Sequence, residues 1–295
     1  MKRISIAEGV EFLEAPQQES WLMNNGLLIS GEEVIMIDGR FGEEETLAFI
    51  RENNVSRYFI SHFHIDHASD AWRIAGETDC RPALNRTEYQ YLQSSENMSR
   101  ATGYGQAGVH KLVEEILMPR MGLQYVPSIG SYELAEIEAI SKGQLLAVPA
   151  PGHSPGHYCL YAPQSNSLYT CDLGLDRFGP WYGFPHCNLN DFLTSIEKAR
   201  ELNAKQLFSS HRPVIREGTG EAIDRIKTII EKRHEQVLNA WKKGRKTVKE
   251  IAQEGIFYQR TDTHGKRAVP VMCYWQESMV RCHLEYAGLH AEDSE

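Results

Sequence analysis

The sequence has no run approaching the ~20 apolar residues that a membrane-spanning helix needs. Its N-terminus, MKRISIAEGVEFLEAP, also lacks the apolar core of a signal peptide. The six cysteines are scattered and form no CxxC pair, which in a chain of 295 residues is typical of reduced thiols. We therefore expect a cytoplasmic protein with no disulfide framework and no membrane contact.

An excess of basic residues is absent as well. The chain carries 31 lysines and arginines against 40 aspartates and glutamates, so its formal net charge is -9. A chain this acidic has no overall attraction for a phosphate backbone. We expect a small-molecule substrate and no nucleic-acid partner. There is also no internal repeat or low-complexity tract that would indicate a repeat architecture or a disordered segment.

The first third of the chain alternates between strand and helix patterns. Short β-rich runs with turn residues between them predict three strands, at LLIS (27–30), EVIMID (33–38) and RYFISH (57–62). Between the second and the third, EEETLAFIRENN (43–54) has apolar residues at helical spacing. Strand–helix–strand alternation of this kind indicates a layered α/β core.

The later part of the chain returns to strands and then becomes helical. Strands are predicted at 144–150, 158–163, 167–172 and 206–211, with a helix at 189–202 that Asn190 or Asp191 would cap. From Glu221, one long amphipathic pattern runs to Gly244, and two more helices are predicted at 247–254 and 277–290. We place a domain boundary near residue 218, between a catalytic domain (1–218) and a helical extension (219–295).

The stretch SHFHIDH (61–67) places three histidines and an aspartate within six positions: His62, His64, Asp66 and His67. A lone histidine is usually a surface residue or a satisfied core residue, but this density is different. The cluster follows a predicted strand, where α/β proteins gather catalytic loops. Imidazole nitrogens and carboxylate oxygens are ligands that zinc and iron accept. We therefore predict a metal site here.

Three more candidate ligands lie at or just after the ends of predicted strands. They are His153 in PAPGHSPGH, Asp172 in SLYTCD and His211 in QLFSSH. Because all three follow strands, we expect several strand ends to converge on one site.

The pattern His-x-His-x-Asp-His, followed by Gly-His, Asp and His, resembles the metallo-beta-lactamase superfamily over about residues 1–215. The resemblance implies a four-layer αββα sandwich that carries a binuclear metal site. His62, His64 and His153 would hold the first metal; Asp66, His67 and His211 would hold the second; Asp172 would bridge the two. We expect two divalent metal ions, with Zn²⁺ favoured and Fe or Mn as alternatives. Asp38, at the end of EVIMID, matches a position of the superfamily that orients the site; the alternative is a strand-end turn residue, and we favour the first role.

The reaction implied by this resemblance is hydrolysis. Two cations that share a water lower its pKa from ~15.7 towards neutrality, and the resulting hydroxide attacks the substrate. Asp66 would be both a ligand and a carrier of the proton. We expect a thioester, ester or lactone substrate. The alternatives are an oxygenase of the same fold with a single iron, and a non-catalytic effector protein that keeps the metals as a structural core.

Departures from the superfamily pattern suggest where substrate specificity lies. Arg212 follows the last histidine where glycine is common, so it either contacts an anionic part of the substrate or is a surface residue. The segment DRFGPWYGFPHCN (176–188) is rich in aromatic residues that would line a substrate pocket or pack in the core. Those residues are Phe178, Trp181, Tyr182 and Phe184.

Residues 85–130 interrupt the strand–helix alternation. Two helical patterns flank the glycine-rich ATGYGQAG (101–108), and tyrosines and methionines recur throughout. We predict a mobile helical lid over the metals, with a small satellite core or a homodimer contact as the simpler interpretation.

The C-terminal tail is similar to the winged-helix-like tail of lactamase-like hydrolases related to glyoxalase II. We expect it to pack against the sandwich and partly wall the active-site mouth.

Overall fold

The computed structural model describes residues 1–16, 22–258 and 269–291. Within these residues, two β-sheets pack against each other and carry helices on their outer faces. This is the four-layer αββα sandwich that the sequence predicts. All six cysteines are unpaired, as predicted. No helix of the described residues is both long enough and apolar enough to cross a membrane.

The first sheet has seven strands in chain order. They are β1 (Lys2–Ala7), β2 (Val10–Glu14), β3 (Gly26–Ser30), β4 (Val34–Asp38), β5 (Arg57–Ile60), β6 (Arg81–Asn85) and β7 (Gly130–Tyr132). The strands β1 to β4 pair antiparallel, whereas β4 to β7 pair parallel. The carboxyl ends of the parallel strands therefore lie at one edge of the sheet, where a site can form.

The second sheet has five strands. They are β8 (Leu146–Pro149), β9 (Tyr158–Ala162), β10 (Ser167–Tyr169), β11 (Gln206–Ser209) and β12 (Arg212–Ile215). Their spatial order is β12-β11-β10-β9-β8, and only β10 and β11 pair in parallel. The crossover between those two strands contains the helix predicted at 189–202.

Helices cover both sheets. They are α1 (Glu43–Glu52), α2 (Ile65–Ala68), α3 (Ala71–Glu77), α4 (Ser95–Thr102), α5 (His110–Leu112), α6 (Met118–Met121), α7 (Leu134–Ile140), α8 (Leu189–Glu201), α9 (Thr219–Lys242), α10 (Val248–Ala252) and α11 (Val269–Tyr286). A 3₁₀ turn spans Tyr89–Leu92, and a π-helical turn, Val113–Leu117, joins α5 to α6.

Alternation along the strands builds two apolar layers. In β4, Ile35 and Ile37 face the cluster between the sheets, and Met36 faces the cluster under the helices. Across the sandwich, the ring of Phe12 lies 4.7 Å from the ring of Phe208, centroid to centroid. Successive strand residues point to opposite faces, so a strand buried on both faces reads as a continuous apolar run. EVIMID is such a run.

Residues 86–129 form the connection from β6 to β7. Because these two strands are parallel, the chain must cross over the sheet between them, and helices usually make that crossing. Met98, Tyr104 and Met118 of this connection are buried in the large core cluster. A Cβ atom on Gly103 would collide with the hydroxyl of Tyr274, so the glycine-rich joint is closely packed at its start, whereas Gly108 has open space around it.

The C-terminal part of the chain begins with the long helix predicted from Glu221. Helix α9 starts at Thr219, one residue after the predicted boundary. Its buried side chains Ile226 and Ile230 belong to the same apolar cluster as Leu168 and Leu207 of the second sheet. The extension therefore packs on the sandwich through a shared core, and the division into two domains stays a prediction.

Some local expectations were wrong. The cap of α8 is Asn188, whose side-chain oxygen accepts a hydrogen bond from Asp191 N at 3.1 Å, whereas the sequence pattern placed the cap two or three residues later. The last helix begins by Val269, well before the predicted residue 277. Strands β1, β2, β6, β7 and β12 were not predicted at all, because their sequences lack the longer apolar runs that mark the other strands.

Candidate metal centre

The first four candidate ligands lie directly after β5. Strand β5 ends at Ile60, and the chain then turns into the short helix α2. His64 precedes this helix in an extended conformation, and Asp66 and His67 lie in its first turn. This tight strand-to-helix turn lets residues two to five positions apart point to the same edge of the sheet.

The other three ligands come from the second sheet. His153 follows β8, Asp172 follows β10, and His211 lies in the turn between β11 and β12. Glycine is required beside the first of these, because Gly152 has φ 123° and a Cβ atom there would collide with the backbone of Phe192. The predicted convergence of strand ends is therefore realised.

The seven side chains form two adjacent donor groups, and within each group the donor atoms lie within 4.8 Å of one another. The first group contains His62, His64 and His153, and the second contains Asp66, His67, Asp172 and His211. We call them the His-group and the Asp-group. Their membership agrees with the two metal positions that the superfamily resemblance implies.

Asp172 lies between the two groups. Its Oδ2 is 3.4 Å from Nε2 of both His67 and His211 in the Asp-group. The same oxygen is 4.0 Å from Nε2 of His62 and 3.9 Å from Nε2 of His153 in the His-group. This carboxylate oxygen therefore lies near two histidines of each group, which is the position that a ligand bridging two cations would take.

The residues fit a pair of bound cations. Buried donor atoms without a hydrogen-bond partner among the described residues include Nε2 of His64, Nε2 of His67 and Oδ1 of Asp172. The Nε2 atoms of His62 and His153 face each other at 3.1 Å. A buried polar atom without a partner is costly, and one cation held by each group would satisfy these atoms. Nitrogen and oxygen donors suit zinc, iron and manganese.

Polar contacts at the opposite ring nitrogens orient these histidines. Nδ1 of His67 lies 3.0 Å from Oδ2 of Asp38, and Nδ1 of His153 lies 2.8 Å from the carbonyl oxygen of Trp181. A carbonyl can only accept, so His153 carries its proton on Nδ1 and leaves Nε2 free. Such contacts fix the tautomer and the orientation of a metal-binding histidine. Asp38 thus lies where a supporting residue is expected.

The His-group is electrically neutral. Burial lowers the pKa of His62, His64 and His153 below the usual histidine value, because charging a ring away from water is unfavourable. Neutral imidazole is the form that binds a metal.

In the Asp-group, the carboxylates favour the protonated form of both histidines, so a metal bound there would displace their protons. Burial alone would lower the pKa of His67 and His211, but nearby carboxylates outweigh it and raise both pKa values well above the usual range. Asp38 and Asp66 are the main partners of His67, and Asp172 is the main partner of His211. In return, the two histidines hold the pKa of Asp172 well below its usual value despite burial.

A sequence profile of the metallo-beta-lactamase superfamily matches residues 20–211, which is more than half of the chain and includes all seven donors. The chain belongs to this superfamily. Members of the superfamily are mostly metal-dependent hydrolases. Membership and the two donor groups together support a metal-dependent hydrolase-type function.

Solved structures of the superfamily share this fold over nearly the whole chain. A metallo-beta-lactamase family protein from Thermus thermophilus superimposes with a TM-score of 0.68 at 19% identity, covering 96% of this chain and 94% of that one. A beta-lactamase domain protein from Burkholderia ambifaria gives a TM-score of 0.64 at 19% identity, covering 97% and 88%. At such identities the likeness shows the fold alone.

A curated relative matches over a shorter stretch. The beta-lactamase-like protein 2 homolog of Caenorhabditis elegans is 26% identical over 95 residues. That stretch is 32% of this chain and 30% of the worm protein. The match therefore supports the superfamily and carries no substrate over to this chain.

Glu88 is a buried acidic residue near the His-group that the sequence did not indicate. Its side chain is fully buried, and its two oxygens accept hydrogen bonds from Phe63 N at 2.9 Å and Gly156 N at 2.6 Å. Phe63 directly precedes His64, and Gly156 lies three residues after His153. One carboxylate therefore ties together the two loops that carry the His-group, although burial raises its pKa.

His157 and Asn24 support the ligand loops in the same way. Nε2 of His157 accepts the backbone N–H of Asp172 at 3.0 Å, and burial lowers the pKa of His157 to about 3, so this nitrogen stays free to accept. Nδ2 of Asn24 donates to the backbone oxygen of Asp66 at 3.0 Å. The only sequence signal was the second histidine of PGHSPGH, to which no role was assigned.

Two of the predicted pocket residues lie beside the His-group. The ring centroid of Trp181 is 5.1 Å from that of His64, and the ring of Phe184 is 5.2 Å from the same histidine. His186 and Cys187, which we did not predict as ligands, lie outside both donor groups.

The other three predicted pocket residues face elsewhere. Tyr182 is fully buried, and its hydroxyl lies 2.9 Å from Nε2 of His283 in α11. Phe178 stacks on Tyr258, with ring centroids 5.1 Å apart. Arg212 donates from Nη1 to the carbonyl oxygen of Leu175 at 2.8 Å. Their part in substrate binding stays a prediction.

We expect Glu88→Gln to weaken metal binding. The amide keeps one accepting oxygen and turns an NH₂ group towards a backbone donor, so one of the two loops loses its anchor. Loss of such an outer support typically costs roughly 10–100-fold in metal affinity. Competition with a coloured chelator measures the change, and the exposed Glu96→Gln serves as the matched control. Wild-type affinity in a folded Glu88→Gln protein would contradict the assigned role.

Proposed function

We propose that this protein is a binuclear hydrolase that cleaves a thioester, ester or lactone with an activated water. The observation that supports it is the pair of donor groups with Asp172 between them. When bound there, two divalent cations lower the pKa of a water towards neutrality and polarise the substrate carbonyl. We propose Zn²⁺ for both positions, with Fe or Mn as alternatives that the same donors accept.

The substrate would approach from the side of the Asp-group. The side chains of His62 and His67 have no exposed surface, whereas those of Asp66 and His211 are 14% and 19% exposed. The carbonyl group of a substrate can reach the metal centre only where the ligand side chains are exposed to solvent. We therefore place the scissile bond over Asp66, Asp172 and His211.

Asp66 is the residue that we assign to proton transfer. Its Oδ2 lies 3.0 Å from Nε2 of His211 and faces the open side of the centre. A hydrolysis must remove a proton from water and deliver one to the leaving group. A carboxylate at the edge of the centre can perform both transfers, and such assistance typically contributes ~10²–10⁴-fold in rate.

An acyl group would lie against an aromatic wall. Trp181 and Phe184 pack edge-on to each other, with ring centroids 4.8 Å apart, and both contact His64. Apolar walls with a few polar groups are typical of small-molecule sites. The negative net charge disfavours a nucleic-acid substrate. The lid role of residues 85–130, a homodimer and the cytoplasmic location stay predictions.

A one-iron oxygenase is less well supported. The donor types alone do not separate it from a hydrolase, because imidazole and carboxylate bind iron as well as zinc, and the proposal prefers two metals because the chain offers two adjacent donor groups. A non-catalytic effector protein would not need the partly exposed edge at Asp66 and His211.

The experiment that tests the proposal is a substrate panel assayed with the metal-loaded protein. An aryl thioester, its matched oxygen ester, an acyl lactone and an aryl phosphodiester are compared by kcat/KM. We expect turnover of at least one of the first three to exceed that of the phosphodiester, and to disappear with a chelator. Preference for the phosphodiester, or hydrolysis that survives full metal removal, would contradict the proposal.

A further inference from the structure

A buried arginine connects the C-terminal extension to the loop that follows Asp172. Arg233 of α9 is only 6% exposed. Its Nη1 donates to the carbonyl oxygen of Pro180 at 2.5 Å, and its Nη2 donates to the carbonyl oxygen of Phe178 at 3.1 Å. Across the described ranges, its guanidinium forms no ion pair with a carboxylate. The two carbonyls are therefore its hydrogen-bond acceptors.

Aromatic rings complete the surroundings of this cation. The guanidinium carbon of Arg233 lies 4.9 Å from the ring centroid of Phe178 and 5.6 Å from that of Phe257. Ring faces attract a cation, and the carbonyl dipoles point their negative ends at it. A buried charge is nevertheless expensive, and an apolar side chain of similar volume would often be as stable. What Arg233 contributes specifically is therefore its hold on the two carbonyls.

Those carbonyls lie next to a contact with the His-group. The residue after Pro180 is Trp181, whose carbonyl oxygen accepts the Nδ1 proton of His153 at 2.8 Å. Arg233 and His153 thus hold adjacent peptide units of one loop. The free Nε2 of His153 then faces Nε2 of His62 at 3.1 Å.

The loop has little freedom to find another position. A Cβ atom on Gly174 would lie 2.7 Å from the backbone of Pro180, so the two arms of the loop are in close contact. A Cβ atom on Gly179 would lie 3.0 Å from the side chain of Ile229 in α9. The loop is therefore closely packed at Pro180, and Trp181 is the next residue of the chain.

We propose that Arg233 is a positioning residue for the metal centre. By fixing the carbonyls of Phe178 and Pro180, it sets the place of the Trp181 carbonyl, which in turn sets the tautomer and orientation of His153. The C-terminal extension thereby controls the metal affinity of the His-group. This inference rests on the proposed binuclear centre. It predicts a change in affinity mainly for the metal that the His-group would bind.

The test compares metal affinity in Arg233→Met, Arg233→Lys and the control Lys232→Met. Methionine fills space without donating, and lysine keeps the charge but cannot hold two carbonyls in a fixed fork. Lys232 is the exposed neighbour of Arg233 on the same helix. His153→Ala marks which binding step belongs to the His-group. Chelator competition gives both dissociation constants, and circular dichroism of the metal-free proteins checks the fold.

We expect Arg233→Met to weaken the His-group metal roughly 10–100-fold, as loss of an outer support does, and to leave the other metal nearly unchanged. Arg233→Lys should fall between wild type and Arg233→Met, and Lys232→Met should match wild type. Equal weakening of both metals, or unchanged affinity in folded Arg233→Met and Arg233→Lys, would overturn the inference. If Arg233→Met does not fold, Arg233→Lys decides by the same criterion. A wild-type protein that binds no metal would instead refute the proposed function.

Discussion

Asp172→Ala is expected to abolish hydrolysis and to release at least one of the two metals. Its Oδ2 lies 3.4 Å from the nearest donors of the Asp-group and 3.9 Å from His153 Nε2 of the His-group, so the substitution weakens both positions. We expect a larger loss than the roughly 10–100-fold that an outer support costs. Metal content per chain and kcat/KM are the measurements.

The fold should survive this substitution. The carboxylate of Asp172 lies at the edge of the sandwich and is 10% exposed, whereas the apolar layers that hold the sheets together do not include it. Asp191→Ala is the control, because this aspartate is exposed on α8 and lies outside both donor groups. A folded Asp172→Ala protein that keeps two metals and near-normal turnover would refute the bridging role.

Asp66→Asn is expected to slow hydrolysis more than the loss of metal explains. An amide oxygen can still bind a cation weakly, but it carries no charge and cannot accept a proton near pH 7. The backbone of Asp66 should stay in place, because Asn24 holds its carbonyl oxygen at 3.0 Å. We expect a drop of ~10²–10⁴-fold in turnover per bound metal pair, measured at saturating metal.

The comparison with wild type must be made at equal metal occupancy. Unchanged turnover per metal pair would show that Asp66 is a ligand only. The proton would then travel through another group, and the proposed mechanism would lose its acid–base residue.

The donor set could be predicted from sequence because its signals are local. His62, His64, Asp66 and His67 lie within six positions directly after a strand, and that short pattern carries most of the information. The apolar run of β4 and the long amphipathic pattern of α9 were equally clear. Each of these features can be recognised from residues that lie close together in the sequence.

The supporting residues could not be predicted because their partners are far away in sequence. Glu88 binds backbone groups 25 and 68 residues distant, and Arg233 binds carbonyls 53 and 55 residues distant. Nothing in the sequence around either residue indicates such partners. The position of Tyr182 could not be predicted for the same reason. It was predicted to line the pocket, but it is buried in the core and its hydroxyl is hydrogen-bonded to His283, 101 residues away.

The most direct test of the binuclear centre is the metal content of protein purified without added metal, measured together with its hydrolytic activity. We predict about two metal ions per chain, loss of hydrolysis when they are removed by a chelator, and recovery when about two are restored. One iron per chain, with oxygen uptake on a thiol substrate and no metal-dependent hydrolysis, would contradict a binuclear hydrolase.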